Sequence, residues 1–194
     1  MILVELIVLN FQMMVKYKRY KIFKYLLWYR EEKMKIIKLE ESNNYIFNKI
    51  CEWNYNWWGK RDNNSMEQVR YYMEHSLCKN KIPQTFVALI ENEPVGMYQI
   101  SSYDDISRPD IYPWLANVFV DEKYRGKGVF KKLMSTVNEN AKKLNIEELY
   151  LYTSHIGLYE KFGWEFIEYV NTFRNDSPKE RLYRLKIRAD NLDI

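Results

Sequence analysis

The stretch from Val118 to Phe130, VFVDEKYRGKGVF, carries the most specific chemistry in the chain. Val118, Phe119 and Val120 read as the end of an apolar strand. Arg125, Gly126, Lys127 and Gly128 make a tight cationic turn, and Val129 and Phe130 open an amphipathic helix. A helix start carries backbone N–H groups with no intrahelical partner, at the positive end of the helix dipole. Glycines let such a backbone approach an anion closely, so the turn suits a pyrophosphate. Lys123, Arg125 and Lys127 surround it with positive charge. Two common nucleotide motifs do not fit. A P-loop has Lys and then Ser or Thr after its last glycine, whereas Val129 follows Gly128. A dinucleotide fingerprint has a third glycine where Lys131 stands. An ordinary basic helix start would account for the same residues, so the turn needs support from the rest of the chain.

The elements around it supply a frame. Ile36 to Leu39 reads as a strand, and Asn43 to about Trp53 has apolar residues at helical spacing. Ser65 and Gln68 make a capping box for a second helix, expected to bury Met66, Val69, Met73 and Leu77. Thr85 to Ile90 and Val95 to Tyr103 are strands joined by a turn at Glu91-Asn92-Glu93-Pro94. A polar loop leads to a strand over Leu115 to Val120. The helix after the glycine turn places Val129, Leu133, Met134, Val137, Ala141 and Leu144 on one face. Leu149 to Thr153 is a strand. Leu158 to Phe162 is one helical turn stopped by Gly163, and Glu165 to Val170 and Arg181 to Ile187 close the chain as a β-hairpin. The fold class is α/β of the mixed (α+β) kind: a central, mostly antiparallel sheet flanked by helices.

Composition narrows the function. The chain has 194 residues, enough for one domain, with 47% hydrophobic and 29% charged residues. Its net charge of +4 is equalled by the first 33 residues, where seven Lys and Arg face three Glu. The remainder is neutral, which argues against nucleic acid as a partner. Two cysteines, Cys51 and Cys78, are too few for a disulfide framework; both are expected in helices as reduced thiols. Two distant histidines, His75 and His155, make a protein metal site an unfavoured reading. A cytoplasmic setting and a monomer or homodimer follow as defaults. Residues 1–33 form a basic and apolar extension. It is either a membrane-surface segment or, on the favoured reading, sequence ahead of a true start at Met34, leaving one domain over 34–194.

The element order resembles the GCN5-related N-acetyltransferase (GNAT) family, and two blocks carry the resemblance. Val118-Phe119-Val120 followed by Arg125-Gly126-x-Gly128 is similar to that family's [QR]-x-x-G-x-[GA] signature. Leu158-Tyr159-Glu160-Lys161-Phe162-Gly163-Trp164 is similar to its second block, one helix and one strand later. Phe130 departs from the Gly or Ala expected there, and its ring must turn away from any pyrophosphate. Tyr152 stands where Asn is common, with Thr153, Ser154 and His155 as polar substitutes.

The resemblance implies an acetyl-CoA-dependent N-acetyltransferase that moves acetyl directly from the thioester to a primary amine of a small molecule or protein. A non-catalytic acyl-CoA sensor on the same fold is the alternative, alongside the membrane-surface role for residues 1–33. Arg125, Gly126, Lys127, Gly128, Val129 and Phe130 would hold the pyrophosphate. Val118, Phe119 and Val120 would pair with the pantetheine arm like an added strand and offer an N–H to the carbonyl. Tyr159 is the candidate general acid, since a phenol of ordinary pKa about 10 is protonated at neutral pH. Asp104, Asp105, Asp110, His155 and water all remain candidates for the base. Trp57, Trp58 and Trp114 are candidates for the acceptor pocket, and equally for the core.

Overall fold

The computed structural model describes residues 14–21, 33–42, 44–104, 108–171 and 179–187. Its strands are β1 (Met34–Lys38), β2 (Gln84–Ile90), β3 (Glu93–Ser101), β4 (Trp114–Val120), β5 (Glu148–Thr153), β6 (Glu165–Val170) and β7 (Glu180–Lys186). Its main helices are α1 (Tyr45–Asn54), α2 (Met66–Glu74) and α3 (Val129–Lys143). The strands form one sheet in the order β1-β2-β3-β4-β5-β7-β6. Every neighbouring pair is antiparallel except β4 and β5, which run parallel. Residues 14–21 of the N-terminal extension are helical; 1–13 and 22–32 lie outside the described residues.

The sheet is covered on both faces, which is why β2 and β3 are buried almost throughout. Alternation along β2 sends Phe86 and Ala88 to one layer and Val87 and Leu89 to the other. The first layer is closed by α3 through Val129, Leu133, Met134, Val137 and Ala141. The second is closed by α1 and α2 through Phe47, Ile50, Val69 and Met73. Gly96 on β3 lets α3 come close: a Cβ there would meet the Phe119 carbonyl oxygen at 2.8 Å and Val129 Cγ1 at 3.0 Å.

Local chemistry sets the boundaries. Asn44 caps α1 by accepting from the Phe47 N–H at 2.9 Å. The Ser65–Gln68 capping box forms in both directions, at 2.7 and 3.1 Å. The β2–β3 turn is carried by Glu91 and Asn92, both with positive φ, as a two-residue hairpin loop of this hand requires. The α2 stripe expected from sequence is shorter in the structure. Met66 is the first helical residue and is exposed. The helix ends at Glu74, so Leu77 lies beyond it in a bridge to Gln84. Cys78 is likewise outside the helix and half-buried, whereas Cys51 is buried in α1. Burial pushes the Cys51 thiol up to about 11, which keeps it protonated and inert.

Candidate functional site

Between β4 and β5 the sheet opens. The two strands are in register at Trp114 and Tyr150 only, with the Tyr150 N–H donating to the Pro113 carbonyl at 3.1 Å. Beyond that point they part, leaving the β5-facing edge of Val118, Phe119 and Val120 without a strand partner. An open strand edge has its N–H and C=O groups available to a ligand that can pair as a strand.

The glycine turn follows at the end of that edge. Asp121 caps a short 3₁₀ turn, Glu122–Tyr124, by accepting from the Lys123 N–H at 3.0 Å. Gly126 and Gly128 both have positive φ, 71° and 84°, and Gly128 caps α3 with no side-chain bond. The first α3 bond runs from the Lys132 N–H to the Gly128 carbonyl at 3.0 Å. The N–H groups of Gly126, Gly128, Val129 and Phe130 therefore take no acceptor among the described residues. Nothing lies within 4 Å of where a Cβ on Gly126 would stand, so the turn is open on that side. Arg125 is tied back: its Nε donates to the Val120 carbonyl at 3.2 Å, and its guanidinium lies 5.4 Å from the Trp57 ring centre.

Phe130 turns its ring inward, edge-on to Tyr159 at 5.3 Å and to Phe162 at 5.5 Å between ring centres. The side chain that departs from the small residue expected at this position thus joins the glycine turn to the tyrosine block. Tyr159 stands just before the 3₁₀ turn Glu160–Phe162, which Gly163 ends with φ of 86°. Its ring is only 7% exposed and also meets Trp164 edge-on at 6.1 Å. The hydroxyl makes no hydrogen bond among the described residues. Burial, with a smaller contribution from the Asp104 charge, drives the phenol well above its ordinary pKa.

Tyr159 lines a cavity of about 240 Å³ together with Trp57, Trp58, Asp104, His155 and Glu180. Tyr152, Thr153 and Ser154 line it as well, so the polar substitutes near the missing Asn are all present. A second cavity of about 360 Å³ adjoins it and shares Trp58, Asp104 and Asn117. Of the candidate bases, Asp104 and His155 reach the site. Asp110 does not: its carboxylate accepts from Arg108 at 2.9 and 2.8 Å, and that pairing holds its pKa low. Asp105 lies outside the described residues.

The three tryptophans separate. Trp57 and Trp58 face the cavity and set their ring edges against Phe119. Trp114 is 1% exposed, packs with Val170 and Leu182, and spends its indole N–H on the Ile111 carbonyl at 2.8 Å. It lines neither cavity, and its place is structural.

Two contributors escaped the sequence reading. Asn117 has φ of 50° at a bulge in β4, where the register with β3 shifts between Met97 and Gln99. Its amide donates to Oε1 of the fully buried Gln99 at 2.5 Å, and Gln99 in turn donates to Thr85 Oγ1 at 2.8 Å. An Asn inside an apolar strand is the signal, because Asn is depleted in strands and tolerates the left-handed conformation. Glu180, at the start of β7, is the other.

The decisive comparison is with the family described as the acetyltransferase (GNAT) family, whose model matches residues 47–164. The chain belongs to this family. It is therefore an acyltransferase with the family's fold, a seven-stranded, mostly antiparallel open sheet flanked by helices. The fold is shared with an aminoglycoside 6'-N-acetyltransferase complexed with coenzyme A, at TM-score 0.62 and 13% identity over 80% of this chain and 98% of that one. It is also shared with RimL, a ribosomal L7/L12 alpha-N-protein acetyltransferase in complex with coenzyme A, at TM-score 0.62 and 14% identity over 81% and 96%. A GNAT-family acetyltransferase from Staphylococcus aureus Mu50 has 22% identity and TM-score 0.54 over 80% and 99%. No curated protein matches the sequence. Among the described residues no helix is long and apolar enough to cross a membrane, and no three His, Cys, Asp or Glu side chains are grouped to hold a metal ion.

Proposed function

We propose that this GNAT acetyltransferase uses acetyl-CoA and transfers the acetyl group directly to a primary amine. The observation that carries the reading is Tyr159, a buried phenol whose hydroxyl makes no hydrogen bond among the described residues, on the cavity where β4 and β5 part. The open edge of β4 suits an extended pantetheine arm, and the N–H groups of Gly126, Gly128, Val129 and Phe130 suit a pyrophosphate. A β4 N–H would meet the thioester oxygen as charge develops on it. The neutral amine nitrogen forms the new bond to the carbonyl carbon and the C–S bond breaks. The departing sulfur takes the Tyr159 proton, and the proton lost from nitrogen restores the phenol. Asp104 and His155 stand at the cavity to relay that proton, directly or through water. The two CoA-bound neighbours are named for a small-molecule and a protein acceptor, so both kinds of amine belong in the test.

The test is thiol release from acetyl-CoA over a panel of alkyl amines, amino sugars, lysine peptides and free peptide N-termini. Release that requires both acetyl-CoA and an amine is expected. Acetyl-CoA binding without release over the whole panel would replace the enzyme with an acyl-CoA sensor.

Phe130 gives a second expectation. Only its backbone N–H faces the proposed pyrophosphate site, while its ring braces Tyr159 and Phe162. Phe130→Ala should leave the acetyl-CoA dissociation constant within about threefold and lower stability by about 1–2 kcal/mol for a half-buried ring. Calorimetric titration and denaturant unfolding read the two effects separately.

A further inference from the structure

We propose that Glu180 seats the acceptor, that the acceptor enters as a cation with its ammonium against this carboxylate, and that this ammonium passes one proton to solvent water, through Asp104 or His155, before the neutral nitrogen attacks. The inference rests on the acyl-transfer reading above and names the chemistry of its second substrate. Glu180 opens β7 opposite Val170 and lines the same cavity as Tyr159, Trp57 and Trp58. Its Oε2 is buried and has no hydrogen-bond partner among the described residues. A buried carboxylate oxygen without a donor is costly, and an ammonium N–H removes that cost with a charge-assisted bond.

Among the described residues none supplies such a donor. The adjacent Arg181 is committed on the other side of the strand: its Nε donates to Tyr183 Oη and its Nη1 to Tyr169 Oη, each at 2.8 Å. Its guanidinium also lies over the Phe166 ring, 4.2 Å from the centre. Among the described residues, the charged side chains lining the cavity are Asp104 and Glu180, with His155 beside them and no Lys or Arg. The described lining thus places the Glu180 carboxylate next to a turn that is cationic. That contrast sorts the two substrates by charge, an anionic phosphate arm to Arg125–Phe130 and a cationic amine to Glu180. Trp58 adds an aromatic wall that favours a cation, and Trp57, whose ring already carries the Arg125 guanidinium, adds an apolar wall for an alkyl chain.

Binding is measured without turnover, so the test stands apart from the acyl-transfer assay. The full chain is titrated with n-butylammonium chloride and with 1-butanol at constant ionic strength, reading tryptophan fluorescence, since Trp57 and Trp58 line the cavity. The wild type should bind the cation at least tenfold tighter than the neutral isostere. Glu180→Gln should bring the two within about threefold, with acetyl-CoA binding and melting temperature unchanged. Asp104→Asn should keep most of the preference. Should Glu180→Gln unfold, Glu180→Asp, which keeps the charge, should retain a weakened preference for the cation. A preference that survives Glu180→Gln, that disappears in Asp104→Asn alone, or that is absent from the wild type overturns the proposal. Failure of every amine to release thiol would instead overturn the acyl-transfer reading and leave the cation preference in place.

Discussion

Tyr159→Phe should lower kcat about 100-fold or more, the usual scale for losing a positioned general acid, and leave acetyl-CoA affinity within about twofold. The substitution removes one oxygen atom. The ring keeps its contacts with Phe130 and Trp164, and no hydrogen bond of the hydroxyl is lost among the described residues. Folding should therefore be unaffected, which makes the kinetic loss interpretable. The pH profile should agree. Burial holds the phenol above its ordinary pKa, and a raised pKa keeps an acid protonated to higher pH. The rate should then rise with pH as the acceptor amine deprotonates and show no fall from tyrosine ionisation up to about pH 10. A kcat within threefold of wild type in steady-state assays would remove the acid role and leave Tyr159 as a packing residue.

The second large effect is on stability. Trp114→Ala should cost about 3–5 kcal/mol, the range for truncating a buried aromatic. Domains of this kind have roughly 5–15 kcal/mol in total. Trp114 sits where β4 and β5 are still paired, and it packs in one buried cluster with Val170 of β6 and Leu182 of β7. Removing it would loosen the joint from which the cleft opens and strand the Ile111 carbonyl that its N–H satisfies. Denaturant unfolding measures the cost. A stable Trp114→Ala whose only change is a raised acceptor KM would restore this residue to the acceptor pocket.

Features whose chemistry is local were legible in the sequence. The Gly126–Gly128 turn, the Ser65–Gln68 box and the Gly163 stop each depend on a few adjacent residues, and each forms as its residue types demand. The helical period of α3 was readable for the same reason. What the sequence hid depends on partners far along the chain. Trp114 looks the same whether it faces a pocket or a core, and Val170 and Leu182 decide which. The bulge at Asn117 is stabilised by Gln99 on the neighbouring strand, itself held by Thr85. Glu180 reads as one more surface acid until β7 is laid beside β5 and carries it to the cavity. The α2 stripe failed at its ends, because the helix stops at Glu74 and Leu77 turns to bridge Gln84.

The central claim is that one cleft holds acetyl-CoA along β4 and the following turn, with Tyr159 at its reacting end. Hydrogen–deuterium exchange of the full chain, with and without acetyl-CoA, tests it most directly. The amides of Gly126, Gly128, Val129 and Phe130 take no acceptor among the described residues and should gain protection on binding, together with the open edge of Val118 to Val120. Acetyl-CoA that binds without protecting these amides, or that fails to bind at millimolar concentration, would contradict the account.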